Sequence, residues 1–598
     1  MRLELAGPRR ILLLAGLGLA GLALVWLVRS APTPIPVPSV QAVLLDPYDH
    51  PLLTRYARYR DALLGQDVPG LQAIAADADD YVAYRAALTL AESRDLEPAL
   101  RTAAYERALA LRFEDPLDKL ERRALYLAYG ETAEAAGELA AARRAYAEAL
   151  PSAAAVAGLY RVQDDPYRLA NTFLRARRYR DALEALAGRS APSVEAPALR
   201  ALGDYAGAQD AYERWLQEAP NHAGARLGLA WTRFYQDDLD GAAALFADLE
   251  GDSALYGRAL IARRQGDTDG AVALLRRTND PADLWLATGY LEAEERYKDA
   301  LPLYLELARG DSVYADDAAY RALVLAERQG DAKNASAARA LVPENSFFAL
   351  KLGAPLELPA PSAQQGLELP ARALAEALER AGDADAARGE LRFALRAASD
   401  PLERLSLAEG LYLLGDYRQS QRAASALLAA GLEDRRVWEL AYPQAFALEV
   451  GAQASRHGLD PALVWAIMRQ ESAFYPQALS TSNAQGLMQV IPSTWDWLAE
   501  LQREAPGNPF DVSTNIRYGA FYLGWLLEYL GGDLELVIAS YNRGQGYIKR
   551  LFESEHVAFD KDELYREIDA LETREYLQRV SLNHAVYRAL YPSLSLRP

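Results

Sequence analysis

Apolar and polar positions alternate with helical spacing over most of this chain. Between about residues 48 and 430 one phrase recurs: a Gly or another small residue, an Asp, and then a helix with regularly spaced Ala. The phrase "GDYAGAQDAY" at 203–212 returns as "DDLDGAAALF" at 237–246, so Asp204 corresponds to Asp238, 34 residues later. A period in the mid-thirties, with small residues at helix crossings, predicts stacked helical hairpins.

These hairpins resemble tetratricopeptide repeats, and residues 48–436 are assigned to them and to a linker. A single hairpin cannot bury its apolar face alone, so the repeats should stack into an α-superhelix whose concave surface could bind protein partners or polymers. The spacing becomes irregular between about 311 and 369, which indicates a linker or a distorted hairpin. Aromatic residues of the repeats are predicted to pack in the core, among them Tyr146, Tyr212, Phe246 and Tyr304.

The first residues are predicted to anchor the chain in a membrane. Residues 11–28, "ILLLAGLGLAGLALVWLV", are uncharged and as a helix would span about 27 Å, near the thickness of a bilayer core. Three arginines precede them, so the positive-inside rule leaves residues 1–10 in the cytoplasm and the remainder outside it, in the cell envelope. The alternative is a cleavable signal, although the run is long for one. The Pro-rich residues 29–47 then form a semi-rigid linker.

Charge and composition narrow the function classes. Lys and Arg total 64 against 83 Asp and Glu, a formal net charge of −19 without a basic tract, which argues against nucleic acid as a partner. The chain has no Cys, which excludes disulfides, thiolate metal sites and a cysteine nucleophile. Its five His residues lack metal-ligand spacing, so neither a metal nor another cofactor is predicted.

The Ala-rich repeat pattern of the sequence ends near residue 437, and residues 437–598 are predicted to form a second, α-rich domain. In "GLDPALVWAIMRQE", Asp460 can cap a helix, and Glu471 follows Leu463 and Ile467 at intervals of four, continuing the apolar stripe. Burial and the negative end of the helix would raise the pKa of Glu471, as a general acid requires. A solvated Glu at a frayed helix end is the alternative, and this segment alone leaves both open.

Further phrases of this domain carry candidate chemistry. A loop of small residues, "LSTSNAQGLMQ", follows at 479–489, and "NIRYGAFYLGWLL" predicts a helix with Asn515 near its start. An apolar helix then breaks into the Gly-bearing loop of "ASYNRGQG", with Tyr541 and Asn542 at the break. Near the end, "ETREYLQRV" puts Glu572 in a loop and Tyr576 in the first turn of a last helix.

In this order the phrases resemble the soluble lytic transglycosylase family over roughly residues 440–592, and "NSFFALKLG" at 345–353 is similar to that family's linker. The resemblance implies a mainly all-α chain, in which an α-superhelix of helical hairpin repeats precedes a goose-lysozyme-like catalytic domain. It implies an enzyme that acts on peptidoglycan glycan strands.

The resemblance also implies a role for each candidate residue. Glu471 would be the catalytic acid/base, with Tyr541 and Ser480 as its catalytic partners. The residues implied to bind the glycan are Met488, Gln489, Asn542, Glu572 and Tyr576. Three departures from the family pattern leave subsite details open: Asn483, where Gly is common, Gln485, at a variable position of the turn, and Arg543 within "SYNRGQG". Asn tolerates the positive φ that Gly would adopt.

In the family, the acid protonates the glycosidic oxygen between MurNAc and GlcNAc and then takes the proton of the C6 hydroxyl, which closes a 1,6-anhydro ring. Most glycosidases use two carboxylates, and Glu572 is the nearest second candidate here. One acid suffices when the substrate's 2-acetamido group stabilises the cation. Two alternatives stay open: a lysozyme-type hydrolase, and a non-catalytic repeat scaffold with a vestigial glycan-binding domain.

Overall fold

The structure, a computed structural model, describes residues 50–111, 119–360, 367–480, 482–554, 567–568 and 571–592. These residues form 32 α-helices and a 3-10 helix at Pro51–Leu53, which confirms the all-α prediction. Within them, strand-like pairing is limited to isolated bridges from Gln485 to Leu479 and Val490. The predicted anchor, the residues before it and the Pro-rich linker lie outside the described residues. No described helix combines the length and the apolar character needed to cross a membrane.

The helices follow one another in antiparallel hairpins. The first part of the repeat array contains α1 (Thr54–Leu64), α2 (Val68–Asp77), α3 (Tyr81–Glu92), α4 (Pro98–Ala110), α5 (Lys119–Ala135), α6 (Leu139–Glu148), α7 (Ala153–Val162), α8 (Pro166–Arg175), α9 (Tyr179–Ala185) and α10 (Pro192–Ala201). The second part contains α11 (Tyr205–Glu218), α12 (Ala223–Tyr235), α13 (Leu239–Ala247), α14 (Asp252–Arg264), α15 (Thr268–Leu275), α16 (Pro281–Glu292), α17 (Tyr297–Ala308), α18 (Ala315–Arg328) and α19 (Ala332–Arg339).

The remaining helices complete the array and continue through residues 437–598, the predicted second domain. Those of the end of the array are α20 (Phe347–Lys351), α21 (Pro370–Arg380), α22 (Ala384–Ala397), α23 (Pro401–Leu413), α24 (Tyr417–Ala429) and α25 (Arg435–Ala441). Those of the predicted second domain are α26 (Ala447–His457), α27 (Pro461–Ser472), α28 (Pro492–Gln502), α29 (Val512–Tyr529), α30 (Leu534–Arg543), α31 (Gln545–Phe552) and α32 (Leu571–Leu590). Helix α27 packs against α32, which also packs against α30.

The recurrent Gly-Asp phrase ends one helix and starts the next. Gly203 has a φ of 82°, the left-handed conformation that terminates helices and that Gly adopts without steric cost. The side chain of Asp204 then caps α11 by accepting the N–H of Gly207 at 3.0 Å. Asp238 caps α13 in the same way, through Gly241 at 2.9 Å. The sequence period therefore marks helix junctions.

Aromatic rings fill the crossings between repeat helices, as predicted. Tyr146, Tyr212, Phe246 and Tyr304 are all buried. The ring of Tyr212 occupies the space that Gly228 leaves free, because a Cβ there would lie 2.3 Å from the ring. These side chains pack the helices together, and the prediction that they belong to the core is confirmed.

The start of the repeat array contacts α22, near the end of the array, at a contact that we call the closure junction, formed by Tyr56, Arg85, Asp383 and Glu390. Tyr56 on α1 donates its hydroxyl to Glu390 on α22 at 2.7 Å. Arg85 on α3 forms an ion pair with Asp383, the residue before α22, at 2.9 Å. The array therefore closes on itself, which the repeat pattern did not predict.

The irregular stretch predicted between about 311 and 369 has two parts. Its first part is helical and contains the hairpin of α18 and α19. The residues between α20 and α21 that the structure describes have no regular secondary structure. The predicted boundary between residues 436 and 437 falls inside α25, which packs against α24; the division into domains remains a prediction.

Candidate active site

Glu471 lies in the last turn of α27, and the helix starts as its sequence predicts. Asp460 is the N-cap and accepts a backbone N–H of the first turn at 2.9 Å. Leu463 and Ile467 are buried in the core, whereas Glu471 on the same stripe is partly exposed. The helix ends at Ala473, which has a φ of 48°. The predicted partly buried carboxylate is therefore present.

The carboxylate of Glu471 accepts a hydrogen bond from a tyrosine of the last helix. The hydroxyl of Tyr576 on α32 donates to Oε1 of Glu471 at 2.7 Å. Burial raises the pKa of Glu471 to about 7, although the Tyr576 hydrogen bond lowers it, and the charge of Glu572 raises it further. A carboxyl group that titrates near neutral pH can both donate and accept a proton there.

Tyr541 approaches the same carboxylate from α30. Its hydroxyl donates to the backbone carbonyl of Met488 at 2.8 Å. Burial and the nearby charge of Glu471 raise the pKa of the Tyr541 phenol. The prediction of a break at Tyr541 and Asn542 is wrong, because α30 continues to Arg543 and ends where Gly544 adopts a φ of 92°.

The loop after Glu471 is held by its own polar side chains. Oγ of Ser480 accepts two backbone N–H groups of the loop, at 2.9 and 3.2 Å. Nε2 of Gln489 donates to two loop carbonyls, at 2.7 and 3.1 Å. Asn483 has a φ of 64°, as expected for an Asn at a position where Gly is common. The described contacts of Ser480 and Gln489 shape the loop, and their roles toward a substrate remain predictions.

Asn515 fixes this loop to α29, a role that the sequence analysis missed. Its side chain is buried, and its Oδ1 accepts the N–H of Met488 at 2.8 Å. Its Nδ2 donates to two backbone carbonyls, at 2.7 and 3.1 Å. The available signal was a polar residue on an apolar helix stripe, seven positions before the buried Tyr522. The same signal identified Glu471.

The turn that contains Gly486 and Met488 has no room for larger side chains. Gly486 has a φ of 76°, and a Cβ there would lie 2.2 Å from the amide of Asn515. The Met488 side chain is fully buried against Gly519, whose added Cβ would lie 2.2 Å from the sulfur. The described contacts of Met488 are structural, and its predicted contact with the glycan remains a prediction.

Helices α30 and α32 complete the site. Oδ1 of Asn542 accepts the hydroxyl of Thr573 at 2.7 Å, which joins the two helices. Glu572 is exposed and lies in the first turn of α32, so its predicted position in a preceding loop is wrong. An acidic side chain suits this position because the N-terminal end of a helix carries partial positive charge. In the described part of the chain, no group of three His, Asp or Glu residues could hold a metal ion.

Known protein families match one segment in each part of the chain. Residues 450–563 match the transglycosylase SLT domain, and residues 199–263 match the tetratricopeptide repeat. The membrane-bound lytic murein transglycosylase C of Mannheimia succiniciproducens is 34% identical over 166 residues, which is 24% of this chain and 46% of that protein. Its namesake from Actinobacillus pleuropneumoniae serotype 5b is 34% identical over 155 residues, 22% of this chain and 42% of that protein. The chain thus spans less than half the length of these relatives.

Two solved structures share the architecture. An inactive mutant of lytic transglycosylase Slt from Pseudomonas aeruginosa has a TM-score of 0.55 and 19% identity, with 90% of this chain and 92% of that chain covered. The 70 kDa soluble lytic transglycosylase of Escherichia coli has a TM-score of 0.51 and 19% identity, with 91% and 93% covered. The chain therefore carries a transglycosylase SLT domain after tetratricopeptide repeats, on the helical fold of the soluble lytic transglycosylases.

Proposed function

We propose that the protein is a peptidoglycan lytic transglycosylase that cleaves the β-1,4 bond between MurNAc and GlcNAc and leaves a 1,6-anhydro-MurNAc end. The observation that carries this proposal is the carboxyl group of Glu471, whose pKa burial raises to about 7, within the match to the SLT domain. The relatives named murein transglycosylases support the same class of substrate.

Glu471 acts first as a general acid. Its proton passes to the glycosidic oxygen while the bond from that oxygen to C1 of MurNAc breaks, and the 2-acetamido group of the substrate stabilises the positive charge at C1. The ionised carboxylate that remains is stabilised by the hydroxyl of Tyr576, which donates to it at 2.7 Å.

Glu471 acts next as a general base. The carboxylate removes the proton of the C6 hydroxyl while that oxygen attacks C1 and closes the 1,6-anhydro ring. The carboxyl group regains its proton, and no water is consumed. Both transfers require a pKa near the working pH, which the burial of Glu471 supports.

The proposal gives the neighbouring residues supporting roles. Tyr541 and Ser480 are catalytic partners of Glu471. Tyr541 contributes the phenol that approaches the carboxylate, and Ser480 contributes a hydroxyl from the loop. The residues assigned to the glycan groove are Met488, Gln489, Asn542, Glu572 and Tyr576. Glu572 is exposed and raises the pKa of Glu471 by its charge, and we assign it to binding because a single acid suffices.

We further propose that the enzyme works in the cell envelope. Residues 11–28 would anchor it, with the catalytic domain outside the cytoplasm, and the curated relatives named membrane-bound transglycosylases support an envelope location. The repeat array would offer surface for protein partners as well as for the glycan strand.

Product analysis tests the function. Purified sacculi are digested, and the released muropeptides are measured by mass spectrometry, with the folded Glu471→Gln variant as the blank. We expect products that lack reducing ends and are lighter than hydrolysis products by one water. Reducing ends would instead favour the lysozyme-type hydrolase, and no release by the folded parent protein would favour the non-catalytic scaffold.

A further inference from the structure

Two faces of α32 make contacts near the start of the helix. Thr573 and Tyr576, three residues apart, contact the candidate site: Tyr576 donates to Glu471, and Thr573 donates to Asn542. Positions 574 and 578 are four residues apart and share a different face. The side chains at those two positions contact the repeat array, so this segment joins the array to the site.

The contact with the array involves α16 and α18. Nε2 of Gln578 donates to Oδ1 of Asp317 on α18 at 3.0 Å, across 261 residues of sequence. The guanidinium of Arg574 lies over the ring of Trp285 on α16, 4.7 Å from the ring centroid. Asp317 is 7% exposed and Arg574 is 5% exposed, so solvent is largely excluded from the contact.

The charged groups of this contact influence one another's ionisation. Burial raises the pKa of Asp317 to about 6, and the charge of Arg574 and the hydrogen bond from Gln578 oppose that rise. Asp316 and Glu575 raise it further. A buried charge is costly when its partner is removed, so the groups of this contact have a strong preference for one arrangement.

We propose that Asp317, Arg574 and Gln578 are positioning residues, through which the repeat array holds α32 so that the Tyr576 hydroxyl remains on Glu471. This inference rests on the proposed function of Glu471 as the acid/base. Since the two contacting faces belong to the same two turns of one helix, a displacement at Gln578 moves Tyr576 as well. Misplacement by about 1 Å can slow a reaction by about a hundredfold.

The inference predicts a change in how the rate depends on pH. Glu471 is faced by Tyr576 and Glu572 of α32 and by Tyr541 of α30. The bond from Tyr576 lowers the pKa of Glu471, so the pKa should rise when α32 is released. The first step requires the protonated carboxyl of Glu471, so kcat/KM falls at alkaline pH as that group ionises. This alkaline limb of the pH profile should therefore move to higher pH.

The test compares pH profiles of kcat/KM for glycan release by the full chain. We expect Gln578→Ala to move the alkaline limb upward by about 0.5 to 1 pH unit and Tyr576→Phe by about one unit, as the loss of a hydrogen bond to a carboxylate implies. The double variant should move it no further than Tyr576→Phe alone, because both changes remove the same interaction. Asp317→Asn keeps the shape of the side chain and an oxygen that can accept from Gln578, but it removes the negative charge. It should therefore move the alkaline limb in the same direction by a smaller amount.

Arg579→Ala is the matched control, because Arg579 lies beside Gln578 on α32, is exposed, and donates to Glu575 of the same helix at 2.7 Å. Its profile should match the parent. If Gln578→Ala does not fold, Gln578→Met keeps the length of the side chain without its donor and should give the same shift.

Two results would overturn the inference while leaving the proposed function intact. In the first, the Gln578 variants fold and cleave glycan, but the alkaline limb of their pH profile does not move. In the second, the double variant shows the sum of the shifts of Gln578→Ala and Tyr576→Phe. A folded parent that cleaves no glycan would overturn the proposed function, and the inference with it.

Discussion

Two glutamates of this protein have the same kind of partner and similar pKa values, in regions with different roles. Glu471 accepts the hydroxyl of Tyr576 in the candidate site, and Glu390 accepts that of Tyr56 at the closure junction, each at 2.7 Å. Burial raises both carboxyl pKa values to about 7. A buried carboxyl with a raised pKa and a tyrosine donor is therefore not sufficient evidence of an active site.

The two carboxyl groups differ in their exposure and in the charges around them. Glu390 is 8% exposed, and the guanidinium groups of Arg55 and Arg85 favour its ionised form. Glu471 is partly exposed, and besides burial its pKa reflects the hydrogen bond from Tyr576 and the charge of Glu572. A polymer can reach a partly exposed carboxyl at a helix end, but not one sealed between packed helices.

The largest expected effect comes from replacing each glutamate by glutamine. Glu471→Gln should reduce release of anhydro-muropeptides at least about a hundredfold, because general acid–base catalysis alone contributes about 10² to 10⁴ in rate. Glu390→Gln, with the same change in chemistry, should keep the parental rate. Product release from sacculi is measured after circular dichroism confirms folding. Equal losses in both variants would remove the distinction between the two sites.

A smaller effect is expected from the two tyrosines. Tyr576→Phe should lower kcat/KM by about tenfold, since it removes one hydrogen bond to the ionised carboxyl. Below about pH 7, where Glu471 is protonated, it should leave the free energy of unfolding nearly unchanged. Tyr56→Phe should show the reverse, a loss of about 1 to 3 kcal/mol in the free energy of unfolding at an unchanged rate, because a buried acceptor loses its donor. Urea denaturation and initial rates measure the two quantities. A slower Tyr56→Phe enzyme of parental stability would contradict the assignment of the closure junction to folding.

The smallest expected effect on the rate belongs to the closure junction, where ionisation of Glu390 should change only the pH dependence of stability. The pKa of Glu390 rises from its ordinary 4.5 to about 7 on folding, so the folded state binds this proton more tightly. The stability that this proton contributes is present below about pH 4.5 and is lost as the pH rises through about 7. Glu390→Gln cannot ionise, so between about pH 4.5 and pH 7 its stability relative to the parent should rise by about 3 kcal/mol, because one pKa unit corresponds to about 1.4 kcal/mol. If the free energy of unfolding depends on pH in the same way in the parent and in Glu390→Gln, the pKa of the Glu390 carboxyl is not raised by folding.

The sequence was sufficient for the repeat fold because its signals are local. Each Gly-Asp junction ends and caps neighbouring helices with residues only a few positions apart, as at Gly203 and Asp204. The closure junction has no such signal, because Tyr56 and Glu390 are 334 residues apart and each is unremarkable within its own helix. Contacts of that kind depend on how the curvature of many hairpins accumulates.

The candidate site was predicted only in part, for a related reason. Glu471 could be identified because a carboxylate interrupts an apolar stripe, and Asn515 carries the same signal but was interpreted only by its place near a helix start. The helix of Tyr541 ends two residues later than predicted, and the last helix already includes Glu572, since polar residues at a helix end resemble those of a loop. The Tyr576 partner of Glu471 lies 105 residues away and comes from tertiary packing.

The closed form of the repeat array also bears on how the protein loses its structure. In an open array each terminal repeat has one neighbour, so unfolding can begin at the ends and proceed inward. Here α1 and α3 contact α22, so the first helices have packing partners on both sides. Because the start of the array is packed on both sides, it is not a favoured place to fray, and heating should melt the hairpins together in a single cooperative transition.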